Sequence, residues 1–353
     1  MIVTFRWYGP GDAVPLEYIR QIPGVEGVVS ALHHVEPGEV WPMDDLTSLA
    51  ETIDRADLRF SVVESIPVHE SIKLGHAERD RLIENYCRSV ENVGRLGIPV
   101  LCYNFMPVFD WTRSRVDLPL ADGSTTLSYD PADFANVDPR RDPAELPPWL
   151  RAEHGQRLPE LLAAYREVDD EQLWENLSYF LERVVPVAAA SNVRMAIHPD
   201  DPPWSIFGLP RIIVDGPALE RLVSLVDSPA NGVTFCTGSL GAQPENDLPS
   251  MIRRLGARVH FAHCRNVLVT GERRFHESAH PSRWGSVNML EVMRALREVG
   301  FSGPLRPDHG RMIWGEVGRP GYGLHDRALG AMYLQGLWEA VVDRLPETRA
   351  ATG

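Results

Sequence analysis

What most constrains this chain is a rhythm. Short runs of apolar, β-branched or aromatic residues recur along it, each separated from the next by a longer stretch with helical periodicity. Eight runs qualify: Val3 to Tyr8, Gly27 to Leu32, Leu58 to Ser65, Val100 to Phe105, Arg194 to His198, Gly232 to Thr237, Val259 to Cys264 and Pro304 to Arg306. Such alternation is the signature of parallel strands joined by crossover helices. Between the runs, residues 80–97 put Leu82, Tyr86, Val90 and Val93 at helical spacing and end on a glycine. Residues 171–190, 217–226, 248–255 and 289–299 read the same way.

Eight strands with intervening helices predict a closed (β/α)8 TIM barrel. An open doubly wound sheet shares the alternation, but no G-x-G-x-x-G turn follows the first run. A barrel routinely uses more than about 250 residues for one core. One domain over residues 1–347 is therefore expected, with 348–353 a frayed tail. Residues 107–170 form an insertion after the fourth run, irregular from Pro107 to about Leu150, and long enough to serve as a lid.

The formal charge of −14, with no dense Lys/Arg run, speaks against nucleic acid and anionic membrane surfaces as partners. No stretch of 18 apolar residues predicts a membrane span, and the N-terminus does not read as a signal peptide. Cys87, Cys102, Cys236 and Cys264 form no C-x-x-C pair, so a reducing cytoplasm is expected.

Active sites of this barrel gather where the strands end. The fifth run ends on His198, the sixth carries Cys236, the seventh His263, and the eighth gives way to Asp308. Singly, each has a plain structural explanation: a core histidine, an inert buried thiol, a helix cap. At four successive strand ends they predict a site for one divalent metal. His263 is preferred over His260 because it is nearer the strand end. Chemistry alone leaves iron, zinc, cobalt or manganese open, and the thiolate leans towards iron or zinc.

Beside Asp308 stand His309 and, after a short loop, Tyr322, both able to transfer protons. His309 has the more adaptable pKa. Tyr322 can serve unaided as an acid, but as a base only if its pKa is lowered. Cationic and amide groups crowd the same rim: Arg6, His69, Lys73, Asn104, Arg265, Asn266 and Arg311. They suit a small anionic substrate. The competing account pairs them with local acids such as Glu64, Glu70, Asp200 and Asp201 in a structural network. Of the adjacent His33 and His34, at most one can face a shared site. Trp7 and Tyr8 either wall a sugar pocket or pack beneath the rim.

The segments FRWYG, GVEGVVSALHH, GEVWP, SVVESIPVHESIKLG, CYNFMPVFDWTR, MAIHPDDPP, GLPRI, FCTGSLG, HFAHCRNV and RPDHG resemble, in order and across nearly the whole chain, the mannonate dehydratase family. The resemblance implies a xylose-isomerase-like barrel and a hydro-lyase that converts D-mannonate to 2-dehydro-3-deoxy-D-gluconate in hexuronate (glucuronate) catabolism. It implies Mn2+ or Fe2+ on His198, Cys236, His263 and Asp308, with His309 and Tyr322 as the acid/base residues, their division of roles open. Two positions depart from the pattern: Cys264 where a larger apolar residue is expected, and Asn288 where aspartate is more usual. A homo-oligomer is expected. The rivals are a sugar or sugar-acid isomerase or epimerase on the same barrel, and a non-catalytic sugar-acid binding protein.

Overall fold

A computed structural model describes residues 1–342, apart from the side chains of residues 152–154 and 156. The expected tail, 348–353, and the end of the expected 1–347 domain lie outside the described residues.

The strands are β1 (Ile2–Arg6), β2 (Val25–Ser30), β3 (Arg59–Glu64), β4 (Val100–Tyr103), β5 (Arg115–Pro119), β6 (Thr125–Tyr129), β7 (Arg194–Ile197), β8 (Asn231–Cys236), β9 (Val259–His263), β10 (Asn266–Gly271), β11 (Arg274–Ser278) and β12 (Pro304–Arg306). Eight of them close into a parallel barrel in the order β1-β12-β9-β8-β7-β4-β3-β2. Every barrel strand falls on one of the eight apolar runs. The closed ring, not the open sheet, is the outcome.

Two cores result. Val29, Val62, Val100, Cys102, Ala196 and Phe261 fill the barrel interior. A larger cluster joins the outer faces of the strands to the helices. In the helix Arg79–Arg95, Leu82, Tyr86, Val90 and Val93 are the buried stripe, and Gly97 follows it at φ 69°. The helix Asp170–Ala190 starts on Asp169, whose carboxylate accepts from the Gln172 N–H. It buries Leu177, Phe180, Leu181 and Val184. Phe180 is fully buried among the rings of Tyr86, Tyr103 and Phe105, so truncating it to alanine costs about 3–5 kcal/mol.

Both departures from the family pattern have a local account. Asn288 caps the helix Met289–Glu298 by accepting from Glu291 N–H, a task aspartate performs equally well. Cys264 is fully buried in the outer core, where a small hydrophobe suffices.

One expectation is corrected. The stretch after β4 is not irregular: residues 115–129 form the hairpin β5–β6, and the helices Pro148–His154 and Leu158–Ala164 follow. A second hairpin, β10–β11, leaves the barrel after β9. Together they make an antiparallel sheet of order β10-β11-β6-β5 beside the strand ends. The turn Asp122-Gly123, with Gly123 at φ 85°, is a hairpin signal in the sequence. The pairing of Phe275 with Tyr129 and His276 with Ser128 is not legible locally, because 146 residues separate the partners (275 − 129).

Candidate metal centre and active site

Strand register assembles the metal donors. Cys236 on β8 stands opposite His263 on β9, and His263 stands opposite Arg306 on β12. Side chains on neighbouring strands in register share a layer of the barrel. Phe261 and His263 alternate onto the inner face, and their rings meet edge to face at 4.5 Å. His260 instead bonds the Met195 carbonyl through Nδ1 at 2.8 Å. The ligand atoms of His198, Cys236, His263 and Asp308 all lie within 4.8 Å of one another. His198 Nε2 is 3.2 Å from His263 Nδ1, which is 3.6 Å from an Asp308 oxygen.

The donors fit one divalent ion. His198 Nδ1–H donates to the Pro199 carbonyl at 2.6 Å, which leaves the Nε2 lone pair facing the other three. Ser239 N–H donates to the Cys236 sulfur at 3.4 Å and fixes its position in the cluster. Burial alone raises the Asp308 carboxyl, but Arg306, then His309, His263 and Arg265, outweigh it and hold it well below the usual carboxylate range. Asp308 sits at φ 60°, a left-handed conformation uncommon outside glycine that recurs at functional sites.

The cluster opens onto a cavity of about 350 Å³ walled by the strand ends and the loops beyond them. His198 and Asp308 reach its wall, as do His309 and Tyr322. His309 Nε2 and the Tyr322 hydroxyl are 2.9 Å apart. On the far side of the ring, His309 Nδ1 is 3.1 Å from Glu277 on β11. Burial pushes the Tyr322 phenol well above its ordinary value, with Tyr8 and Asp308 adding to it against Arg306. Tyr322 is therefore a proton donor at neutral pH. Glu277, conversely, overcomes its burial: Arg265, His309 and Arg113 hold it down to about 2, so it is a carboxylate and accepts. The Glu277 carboxylate accepts from the His309 Nδ1–H, which directs Nε2 to the Tyr322 hydroxyl at the cavity wall.

Glu277 belongs to a quartet of buried charges. Arg113 reaches Asp201 at 2.8 Å and Glu277 at 2.9 Å, and Arg265 touches both acids and Asp308. Two cations and two anions balance, which buried charges require.

Of the rim residues expected to meet substrate, Arg6 and Asn104 line the cavity. Five do not, and each has a resident partner. Lys73 is buried between Glu70 and the Met106 carbonyl, both at 2.7 Å. His69 caps a short helix by accepting from Ser71 N–H. Arg265 belongs to the quartet. Asn266 ties the β9–β10 corner to Val287 and to the His280 carbonyl. Arg311 pairs with Asp326 and Asp122. For these five, the structural-network account describes what the side chains touch. His33 lines the cavity while His34 turns to Asp45, and Tyr8 lines it while Trp7 is buried in the outer core.

Sequence reasoning passed over Glu277 and Arg306. Arg306 donates from Nε to His263 at 2.9 Å and reaches Asp308 at 2.7 Å. Its position at the end of β12, two residues before Asp308, was an available signal. Glu277 had none.

The model of the family described as D-mannonate dehydratase (UxuA) matches residues 1–347. Mannonate dehydratase 2 of Halalkalibacterium halodurans is 55% identical over 343 residues, covering 97% of this chain and 99% of that protein. The mannonate dehydratase of Thermotoga petrophila is 54% identical over 353 residues, covering 97% and 98%. The crystal structure of mannonate dehydratase from Streptococcus suis serotype 2 superposes with a TM-score of 0.90 at 47% identity, covering 97% of this chain and 95% of that one. A D-psicose 3-epimerase structure, at TM-score 0.56 and 12% identity, shares the barrel fold alone. Matched from end to end of the described strands and helices, the chain belongs to the D-mannonate dehydratase family.

Proposed function

We propose that this chain removes water from D-mannonate to give 2-dehydro-3-deoxy-D-gluconate, with one divalent ion, Mn2+ or Fe2+, held by His198, Cys236, His263 and Asp308. The observation that carries the reading is one cavity onto which a four-donor cluster and a bonded His309–Tyr322 pair both open, in a chain of this family.

The reaction removes a weakly acidic proton from C2, beside a carboxylate, and expels the hydroxyl of C3. A divalent ion at these donors supplies the positive charge that polarises the substrate oxygens. His309, oriented by Glu277, takes the C2 proton on Nε2. Tyr322, kept protonated by its burial, gives its proton to the departing hydroxyl. The enol that results ketonises to the keto-deoxy acid. Residues 107–170, as an insertion in a single 1–347 barrel domain, contribute Asp110 and Trp111 to the wall of the cavity.

Among the described residues no helix is long and apolar enough to cross a membrane, and all four cysteines are free thiols. The free thiols suit a reducing cytoplasm, where the chain works on a small sugar acid within hexuronate breakdown; the −14 formal charge suits neither nucleic acid nor an anionic membrane as a partner, and the assembly is a homo-oligomer. An isomerase or epimerase on the same barrel is not favoured, since the relatives that carry those names share only the fold.

The deciding experiment incubates metal-free protein with D-mannonate and adds manganese, ferrous iron or zinc separately. The expected product is a 2-keto-3-deoxy acid with manganese or ferrous iron. No keto-deoxy acid with any of the three rejects the reading, and an epimer or ketose in its place supports the isomerase.

A further inference from the structure

Two arginines on adjacent barrel strands carry an unmet demand. Arg6, on β1, is 6% exposed and lines the cavity. Among the described residues its guanidinium enters no hydrogen bond or ion pair, and Nη1 is buried without an acceptor. Its guanidinium carbon lies 4.5 Å from the centre of the Tyr8 ring. Arg306, on β12, is 1% exposed and also reaches the cavity. It is partly satisfied, by Glu64 at 2.9 Å, Asp308 at 2.7 Å and His263 at 2.9 Å, while its Nη1 too is buried without an acceptor.

Their placement is convergent. β1 and β12 are hydrogen-bonded neighbours, with Val3 opposite Leu305. Arg6 stands opposite Val29, a member of the inner cluster, so it points into the barrel as Arg306 does. Glu64 feels both charges, yet it pairs with Arg306 and, at 3.5 Å, with His263 rather than with Arg6, and its Oε2 is itself without a hydrogen bond. Native structures rarely keep a buried guanidinium nitrogen without an acceptor, and where it lines a cavity a ligand is one source of that acceptor.

We propose that Arg6 and Arg306 hold the carboxylate of the substrate, with Arg6 the residue that selects an acid over a neutral sugar. The assignment deepens the dehydratase reading and rests on it for the identity of the acid. It also orients the molecule. Tyr322 packs edge-on against Tyr8 at 5.0 Å, and Tyr8 lies beneath Arg6. A carboxylate at the two guanidiniums therefore sets its neighbour, C2, beside Tyr322 and His309, where the proton is to be removed. The bidentate donors of a guanidinium match a carboxylate in shape as well as charge, which an ammonium does not.

The test compares an acid with its uncharged twin. KM for D-mannonate, and the inhibition constant of D-mannonamide against it, are measured on metal-loaded wild type, Arg6→Met and Arg6→Lys. The expected result for Arg6→Met is a rise of about 10–100-fold in KM for the acid, the size of a lost charge-assisted contact. The inhibition constant of the amide moves less than about 3-fold, metal content stays the same, and Tm does not fall. Arg6→Lys is expected to recover part of the acid's affinity. Equal weakening of acid and amide, or an unchanged KM with a lower Tm, overturns the proposal and leaves Arg6 as a structural counter-charge to Glu64. If wild type makes no keto-deoxy acid, the dehydratase reading fails separately. The clamp is then judged by calorimetry with D-gluconate: weaker binding to Arg6→Met than to wild type upholds it, and equal binding rejects it.

Discussion

The two halves of the cavity are built by different means. The metal half comes from the parallel barrel: His198, Cys236, His263 and Asp308 sit at or just past the ends of β7, β8, β9 and β12. Closing the barrel is sufficient to bring them together. The proton-transfer half depends on the second sheet, where β11 delivers Glu277 behind His309 and the loop before β5 delivers Arg113 behind Glu277. Here nothing converges until two hairpins, 146 residues apart at their contact (275 − 129), have paired. The difference teaches that a barrel rim can gather four candidate donors by topology alone, whereas orienting one imidazole requires a scaffold added to it.

That contrast can be broken experimentally. The largest effect is expected from Asp308→Ala or His263→Ala, which remove a donor from a cluster with no spare: bound metal falls to a small fraction of one per chain. Turnover drops at least about 1000-fold, read by elemental analysis beside the keto-deoxy acid assay. Next comes Tyr322→Phe, which keeps the ring and the metal and loses the proton. A fall in kcat of about 100-fold or more with full metal content is expected, in the range of general acid catalysis. Turnover near wild type would move the acid role elsewhere.

Glu277→Gln tests the scaffolded half. It removes the acceptor that fixes His309 and leaves Arg113 and Arg265 short of one negative charge. An unfolding free energy lower by about 3 kcal/mol is expected, with kcat down about 10-fold and metal retained. Loss of metal in this variant would show that the two halves are not separable.

Acid titration sharpens the same point. Glu277 is depressed from an unfolded value near 4.5 to about 2, so its contribution to stability is complete above pH 4.5 and disappears as pH falls towards 2. Wild type and Glu277→Gln are therefore expected to differ in denaturant midpoint at neutral pH and to converge below pH 3. Smallest of all is Arg311→Ala. Its partners are Asp326 and Asp122 outside the cavity, so stability falls by about 1 kcal/mol and KM for mannonate changes less than about 3-fold. A large rise in KM would return Arg311 to the substrate.

The sequence carried a great deal of this. All eight barrel strands were legible because each is short, apolar and separated from the next by an amphipathic helix. The four side chains that cluster within 4.8 Å of one another were legible as candidate donors because strand ends are where such a barrel does its chemistry. The rim cations were only half legible. Lys73 and Arg265 look, in a string of letters, just as suited to an anion as Arg6 does, because charge is written in the sequence and the presence of a partner is not.

What the sequence by itself determined, then, was local: periodicity fixed strands and helices, since burial of a strand or of one helix face is set by residues a few positions apart. Only the tertiary structure decided which polar groups are already satisfied. Glu70 claims Lys73 from three residues away, but Asp201 claims Arg265 from 64 residues away and Glu277 reaches His309 across 32. Arg6 is left without an acceptor among them all. A buried charge is defined by what surrounds it in space, and that surrounding comes into being only when the barrel and its second sheet close.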